Sequence, residues 1–358
     1  MIRTLCLLAL LSISGASANA QRLRTTDRPE AVTTIAFGSC ARQDRPQDIW
    51  EAIIATDPQL FLFIGDNVYA DYPEVPKTAM DIKKAYDMLA QQPGWKKIQQ
   101  QCHIMATWDD HDYGLNDAGK EWELKEESRE LFLQFFGVRR NDPRQLREGI
   151  YHSEMFGEPG QRVQVIMLDT RYFRDSLVRH NDWREKGLNG PYSPNLYGNG
   201  DLLGEAQWKW LEEELRKPAD IRIIGSSIQL VAREHGWEMW GNFPHERDRF
   251  YDLIEETGAN GIVVISGDRH LIEISRDDSR AAPYPIYDFT SSGFNFPSSP
   301  VSEPNAFRIS PVLREPNFGL ILIDWKGEDT TITLEGRALK GQLLMRETIK
   351  LSELRVGR

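Results

Sequence analysis

The stretch Leu60-Phe61-Leu62-Phe63-Ile64-Gly65-Asp66-Asn67-Val68-Tyr69-Ala70-Asp71 decides how the rest of the chain is read. Five apolar residues in a row match a strand buried on both faces, and a glycine ends the run at a carboxylate. The same arrangement recurs. An apolar run at 33–37 leads into Gly38-Ser39-Cys40, and one at 103–107 leads into Trp108-Asp109-Asp110-His111-Asp112. Runs at 163–168 and 262–265 lead into Asp169-Thr170-Arg171 and Ser266-Gly267-Asp268-Arg269-His270, and another run lies at 221–224. Between them, apolar residues return every three or four positions at 46–55, 78–89, 121–136, 205–215 and 244–256, which predicts amphipathic helices. Strands alternating with helices predict a layered α/β domain. The tail differs. Runs at 286–289, 320–325, 330–334 and 343–349 have little helix between them and predict antiparallel strands closing a second sheet. The longest predicted loops are 180–201 and 292–316, with a shorter one at 71–77.

In open α/β sheets, ligands bind beyond the carboxyl ends of the strands. The strand-end motifs therefore gather one Cys, two His and several Asp at one edge. Carboxylates packed this closely oppose one another's ionisation unless cations neutralise them. A metal centre is the predicted explanation. Carboxylate oxygens suit calcium, magnesium or manganese, whereas a thiolate at Cys40 and a phenolate at Tyr69 suit a stronger Lewis acid such as ferric iron. Asp66 is best placed to bridge two ions.

The chain has 358 residues, with 43 Lys and Arg against 54 Asp and Glu, and the resulting net charge of −11 argues against a nucleic-acid-binding groove. Arg3, the short apolar run at 5–13 and Ala18-Asn19-Ala20 predict a secretory leader cleaved after Ala20, hence a secreted or periplasmic protein. Residues 21–32 read as a linker and 33–351 as a single domain. No later stretch predicts a transmembrane anchor. After cleavage Cys40 and Cys102 remain; they are predicted to sit near opposite sheet edges and stay unpaired, with Cys102 a small buried apolar residue. No Gly-x-Ser-x-Gly elbow is present, which disfavours a nucleophilic serine hydrolase.

The ordered motifs resemble the alkaline phosphatase D (PhoD-like) branch of the calcineurin-like metallophosphoesterases. Ser39-Cys40, the 65–71 motif, Trp108-Asp109-Asp110-His111-Asp112, Leu168-Asp169-Thr170-Arg171 and Ser266-Gly267-Asp268-Arg269-His270 carry the resemblance. Leu203-Gly204-Glu205-Ala206-Gln207-Trp208, Trp240-Gly241-Asn242-Phe243-Pro244 with Glu246-Arg247, and Ser291-Ser292-Gly293 extend it. It implies a four-layer αββα sandwich with mixed central sheets, and Fe3+ together with Ca2+ or other divalent ions. Cys40, Asp66, Tyr69 and His270 would hold the iron; Asp66, Asp110 and Asp268 would serve the calcium side, with Asp109 a further candidate. The twin-Arg export pair of the family's best-known members is not found, so the leader reads as one for general secretion.

The implied activity is hydrolysis of phosphate mono- or diesters at alkaline pH by a metal-activated hydroxide. His111 is the candidate for protonating the leaving oxygen. Arg171 is expected either to grip a phosphoryl oxygen or to pair with Asp169 or Asp175, and Arg247 is a second candidate for substrate binding. Asp71, Asp112 and Glu273 are expected to orient ligands, and Trp237 and Trp240 to wall the pocket or fill the core. The other histidines, at 103, 152, 180, 235 and 245, receive no role. The substrate is a small-molecule or lipid phosphate ester. One alternative is a phospholipase C/D-like diesterase acting on lipid or teichoic-type head groups. The other is a non-catalytic calcium-binding module, against which His111 and Cys40 both argue.

Overall fold

The computed structural model describes residues 30–298 and 303–357. The predicted leader at 1–20, with its cleavage point, and linker residues 21–29 lie outside the described residues. Strands form where the apolar runs are. They are β1 (Thr34–Gly38), β2 (Leu60–Ile64), β3 (His103–Thr107), β4 (His152–Phe156) and β5 (Val163–Met167). A two-residue pair, β6 (Val178–Arg179) and β7 (Tyr192–Ser193), precedes β8 (Ile221–Ser226), β9 (Ile262–Ser266), β10 (Ile272–Asp277) and β11 (Ile286–Ser291). The chain closes with β12 (Asn317–Asp324), β13 (Thr331–Ala338) and β14 (Leu343–Lys350). The helices are α1 (Ile49–Ala55), α2 (Ala79–Gln91), α3 (Pro93–Gln101), α4 (Asp110–Tyr113), α5 (Lys125–Phe135), α6 (Gly204–Leu215) and α7 (Pro244–Thr257).

Two six-stranded sheets result, ordered β14-β13-β12-β1-β2-β3 and β10-β11-β9-β8-β5-β4. Both are mixed: β1 to β3 run parallel, as do β5, β8, β9 and β11, while β4 and β10 are antiparallel edges. Side-chain alternation splits each central strand between two environments. Ile35 and Phe37 of β1 and Leu60, Leu62 and Ile64 of β2 face the second sheet, where Phe37 meets Phe289 edge-on at 5.0 Å. Ala36, Phe61 and Phe63 instead meet the helices, packing with Trp50 of α1, Tyr86 of α2, Trp95 of α3 and Phe132 of α5. Trp208 and Leu211 of α6 and Phe250 and Ile254 of α7 cover the second sheet. The layers are thus α/β/β/α, the predicted four-layer sandwich.

One expectation fails. Of the four tail strands, β11 joins the second sheet between β10 and β9, but the others do not; β12 pairs antiparallel with β1, and β13 and β14 extend the first sheet from there. The reason is the two-faced pattern of β12. Phe318 and Leu320 belong to the helix-facing core, Ile321 and Ile323 to the core between the sheets. Only a strand between a helical layer and another sheet can bury both sets. Helix α3 was hidden by its Pro93-Gly94 start, a turn signal. Proline here fills the first helical turn, and Gly94 admits Trp50, whose Cβ would lie 2.2 Å from an added Cβ. Cys40 and Cys102 are both free, Cys40 buried and Cys102 half-buried. No helix among the described residues is long and apolar enough to cross a membrane.

Candidate metal centre

The carboxyl ends of β1, β2, β3, β5, β8 and β9 point to one edge, and the turns beyond them converge. Their approach depends on glycine at two points. At Gly65, whose φ is +103°, an added Cβ would lie 2.6 Å from Asp109 Cβ and 3.0 Å from Ser227 Cβ. At Gly267 it would lie 2.7 Å from Ser39 Oγ and 3.0 Å from the Ile64 carbonyl. The turns also hold unfavourable backbone. Six non-glycine residues among those described have a left-handed φ, and Cys40, Asp66, Asp117, Asp268 and His270 are five of them. Bulky residues rarely adopt this region, and such strain persists where the surroundings over-determine it.

Asp66 sits at the centre. Its Oδ2 lies 3.3 Å from Cys40 Sγ and 3.3 Å from Tyr69 Oη, and Tyr69 Oη is 3.2 Å from His270 Nε2. His270 Nδ1 contacts the Phe296 carbonyl at 2.5 Å, so Nδ1 carries the proton and Nε2 presents its lone pair to the cluster. Cys40, Asp66 and His270 bring one ligand atom each within 4.8 Å of one another. The same holds for Asp66, Asp110 and His111, and for Asp109, Asp110 and Asp268. All seven residues expected at the metals therefore meet in one place.

A fourth group, Asp110, Asp117 and Glu238, adds two carboxylates the sequence reading missed. Asp117 follows a glycine-containing turn. Glu238 lies in Trp237-Glu238-Met239-Trp240, where a carboxylate inside an aromatic run was the available signal.

The donors fit cations. Asp109 Oδ2 is buried with no hydrogen-bond partner, and Asp268 Oδ2 has none either and only the Arg269 guanidinium 3.5 Å away; for Asp109 Oδ2 the condition is costly unless something positive faces it. Burial pushes the Asp66 and Asp268 carboxyls well above the usual range, with neighbouring carboxylates adding to it. Burial likewise lifts Asp109 to about 7 and Asp117 to about 8. The Cys40 thiol and Tyr69 phenol rise by burial and by their acidic neighbours. Burial lowers His270 to about 4, which keeps it neutral and able to ligate. Without cations much of this set would hold protons; with them it is an anionic cage.

His111 is the group poised to hold a proton. Burial alone would lower it, but Asp110, Asp66 and Asp71 overcome that and hold the imidazolium well above its ordinary pKa. Its Nδ1 is fixed by Asp71 Oδ1 at 2.7 Å, and its ring stacks on Tyr69 at 4.1 Å. Burial opposes ionisation of Asp110, yet His111, Arg171 and the Asp117 amide outweigh it and its carboxyl falls below the usual range.

The outer residues divide. Asp71 orients His111 and accepts from the Asn116 amide. Asp112 accepts from the Asp109 amide at 2.6 Å and from the amide and side chain of Asn67, tying the β2 and β3 turns together. Glu273 does neither; it bonds Gln229, Asn305 and Arg308 in a separate buried network.

Arg171 does not present its guanidinium to a substrate, and it pairs with neither Asp169 nor Asp175. It is fully buried, with Nε 2.6 Å from Asp109 Oδ1 and a two-pronged contact to Glu238 at 2.8 and 2.7 Å. Arg247 on α7 pairs with Asp248 at 2.8 Å, and none of its hydrogen bonds reaches the cluster. Trp240 is core; Trp237 is half-buried beside Arg269.

The PhoD-like phosphatase family model matches residues 35–316. The chain is 23% identical over 274 residues to alkaline phosphatase D of Bacillus subtilis (strain 168), a match covering 66% of this chain and 46% of that protein. It thus spans about half the length of this curated relative. A structure of PhoD superposes with a TM-score of 0.67 at 15% identity, covering 92% of this chain and 72% of that one. The purple acid phosphatase PPD1 from yellow lupin (Lupinus luteus) seeds gives 0.57 at 13% identity, covering 90% and 54%. At these identities the two structures speak for the fold alone.

Proposed function

The chain belongs to the PhoD-like phosphatase family, and from that premise we propose that it is an exported, metal-dependent phosphoric ester hydrolase acting on phosphate mono- or diesters, with residues 33–351 as its catalytic domain. The observation that carries this reading is the sharing of Asp66 and Asp110 between ligand groups that include a buried carboxylate oxygen, Asp109 Oδ2, with no hydrogen-bond partner. Cys40, Asp66, Tyr69 and His270 have the mixed sulfur, phenol and imidazole character that suits ferric iron; Asp66, Asp109, Asp110 and Asp268 have the oxygen character that suits calcium. When bound, such cations acidify a water and neutralise charge on phosphoryl oxygens.

The chain's own residues supply the rest. Asp71 and Tyr69 fix the His111 ring from two sides, and the acidic neighbours keep it protonated, so it can deliver a proton to the departing alkoxide. Its Nδ1 is taken by Asp71, so Nε2 is the donating atom. Asp112 holds the β2 and β3 turns in register. Arg171, fixed by Glu238, aims Asp109 inward, and is therefore a positioning residue.

The test is direct. Asp66→Ala and His270→Ala should each abolish release of nitrophenol from bis(4-nitrophenyl) phosphate. Metal analysis of protein from its native compartment should find iron and calcium. Retained hydrolysis in both variants would overturn the reading.

A further inference from the structure

The centre described so far accounts for the phosphorus end of a substrate. A run of rings and guanidinium groups on its Asp268 side is left without a use. Arg269 directly follows Asp268, and its guanidinium is pinned by Glu303 at 2.6 Å and lies 3.5 Å from Asp268 Oδ2. Its Cζ stands 5.0 Å from the centre of the Trp237 ring. Trp237 immediately precedes Glu238, the residue that grips Arg171. The Trp237 ring meets Trp183 of the 180–201 loop at 5.8 Å, with the ring planes 71° apart, and Arg184 Cζ lies 4.3 Å from the Trp183 ring. Arg184, Trp183, Trp237 and Arg269 thus form a ladder from a surface loop to the metal-facing Asp268.

Trp50, Trp95, Trp108 and Trp240 are all 0–1% exposed, whereas Trp183 and Trp237, like Trp122, Trp210 and Trp325, stay half-buried. What sets Trp183 and Trp237 apart is their place: they are joined through Arg269 to the metal-facing Asp268, and partly wet rings beside a charged centre mark a contact surface. Each is backed by a guanidinium, and together they make two flat walls meeting at a steep angle. Such walls suit a flat π system, which gains from stacking on one ring and edge contact with the other. A flexible acyl chain would gain little from that geometry.

Resting on the phosphoesterase reading above, we infer that Trp183 and Trp237 form a subsite for a planar aryl or heteroaromatic group of the phosphate ester, with Arg269 as the residue that positions Trp237. The metals hold the phosphoryl end and the ladder sorts esters by what is attached to it.

Binding of non-hydrolysable phosphonates tests this without turnover. Phenylphosphonate, cyclohexylphosphonate and methylphosphonate are titrated by calorimetry into the protein with its native metals. The wild type should prefer phenyl over methyl by about tenfold, the scale of a well-formed aromatic pair, with cyclohexyl well behind phenyl. Trp237→Leu and Trp183→Leu should each remove most of that preference. Trp183 lies in a surface loop, so its variant answers even if Trp237→Leu fails to fold. Equal affinity for phenyl and cyclohexyl, or an unchanged preference in the Trp183 variant, overturns the subsite and leaves the phosphoesterase reading standing. Failure of the wild type to bind any of the three overturns both.

Discussion

Replacing Arg171 by Met separates two incompatible roles for that residue. As a substrate ligand, its loss would weaken phosphate binding and leave the fold intact. As the strut described above, its loss exposes two buried carboxylates. Arg171 bonds Asp109 at 2.6 Å and Glu238 at 2.8 and 2.7 Å, with the side chains of all three at most 1% exposed. Removing one partner from such a buried network costs about 3–5 kcal/mol, because Asp109 is left uncompensated; Glu238 keeps only Arg174, 3.2 Å away. That is a large part of a domain's total stability of about 5–15 kcal/mol. At about 2 °C per kcal/mol for a chain of this size, Tm should fall by roughly 6–10 °C. The double variant Arg171→Met/Glu238→Met should recover part of the loss, giving a coupling of about 1–3 kcal/mol in a double-mutant cycle. Denaturant unfolding and calorimetry in excess calcium measure both. A Tm within about 2 °C of wild type, combined with a raised KM and unchanged kcat, would refute the strut and return Arg171 to the substrate.

Three further outcomes follow from the same geometry. His111→Asn should slow hydrolysis of alkyl phosphodiesters by about 10²–10⁴-fold but affect nitrophenyl esters far less, since nitrophenolate departs without a proton; equal losses for both leaving groups would rule out the proton-donor role. In chelator, stability should fall as pH rises from about 6.5 to 8. Folded Asp109, at about 7, and Asp117, at about 8, hold protons at the start of that window that the unfolded chain has already released, and they give them up across it. His111 adds to the trend, and buried His152 and His235, whose pKa values are lowered, act only below the ordinary histidine range. Added calcium should flatten or reverse the slope; a chelated protein that melts higher at pH 8 than at pH 6.5 would contradict it. Gly65→Ala should destabilise the fold and weaken metal retention, because φ is +103° and the new Cβ would sit 2.6 Å from Asp109 Cβ; normal metal content and Tm would show that the turns have slack.

Much was legible from residues alone, for reasons that are local. A strand buried on both faces must be continuously apolar, so 60–64 and 103–107 announce β2 and β3 to the residue. A carboxylate after such a run has one available address, the sheet edge, which is why Asp66, Asp109, Asp110 and Asp268 could be assembled on paper. Where a segment's character came from its neighbours, the reading failed. β4, with its polar His152-Ser153-Glu154, and β10, with buried Glu273, Ser275 and Asp277, were not anticipated as strands. The first is an edge, and the second buries polar groups that only a tertiary network can satisfy.

Composition and periodicity on their own determined the layered α/β class and the convergence of a thiol, a phenol, imidazoles and carboxylates on one edge, because strand burial and strand ends are properties of consecutive residues. Tertiary structure decided which sheet the tail joins, that Arg171 is consumed by Asp109 and Glu238, and that Asp117 lies beside Asp110. Those outcomes depend on which groups far apart in the chain are brought together, and a guanidinium or a carboxylate takes its role from the charge that folding sets beside it.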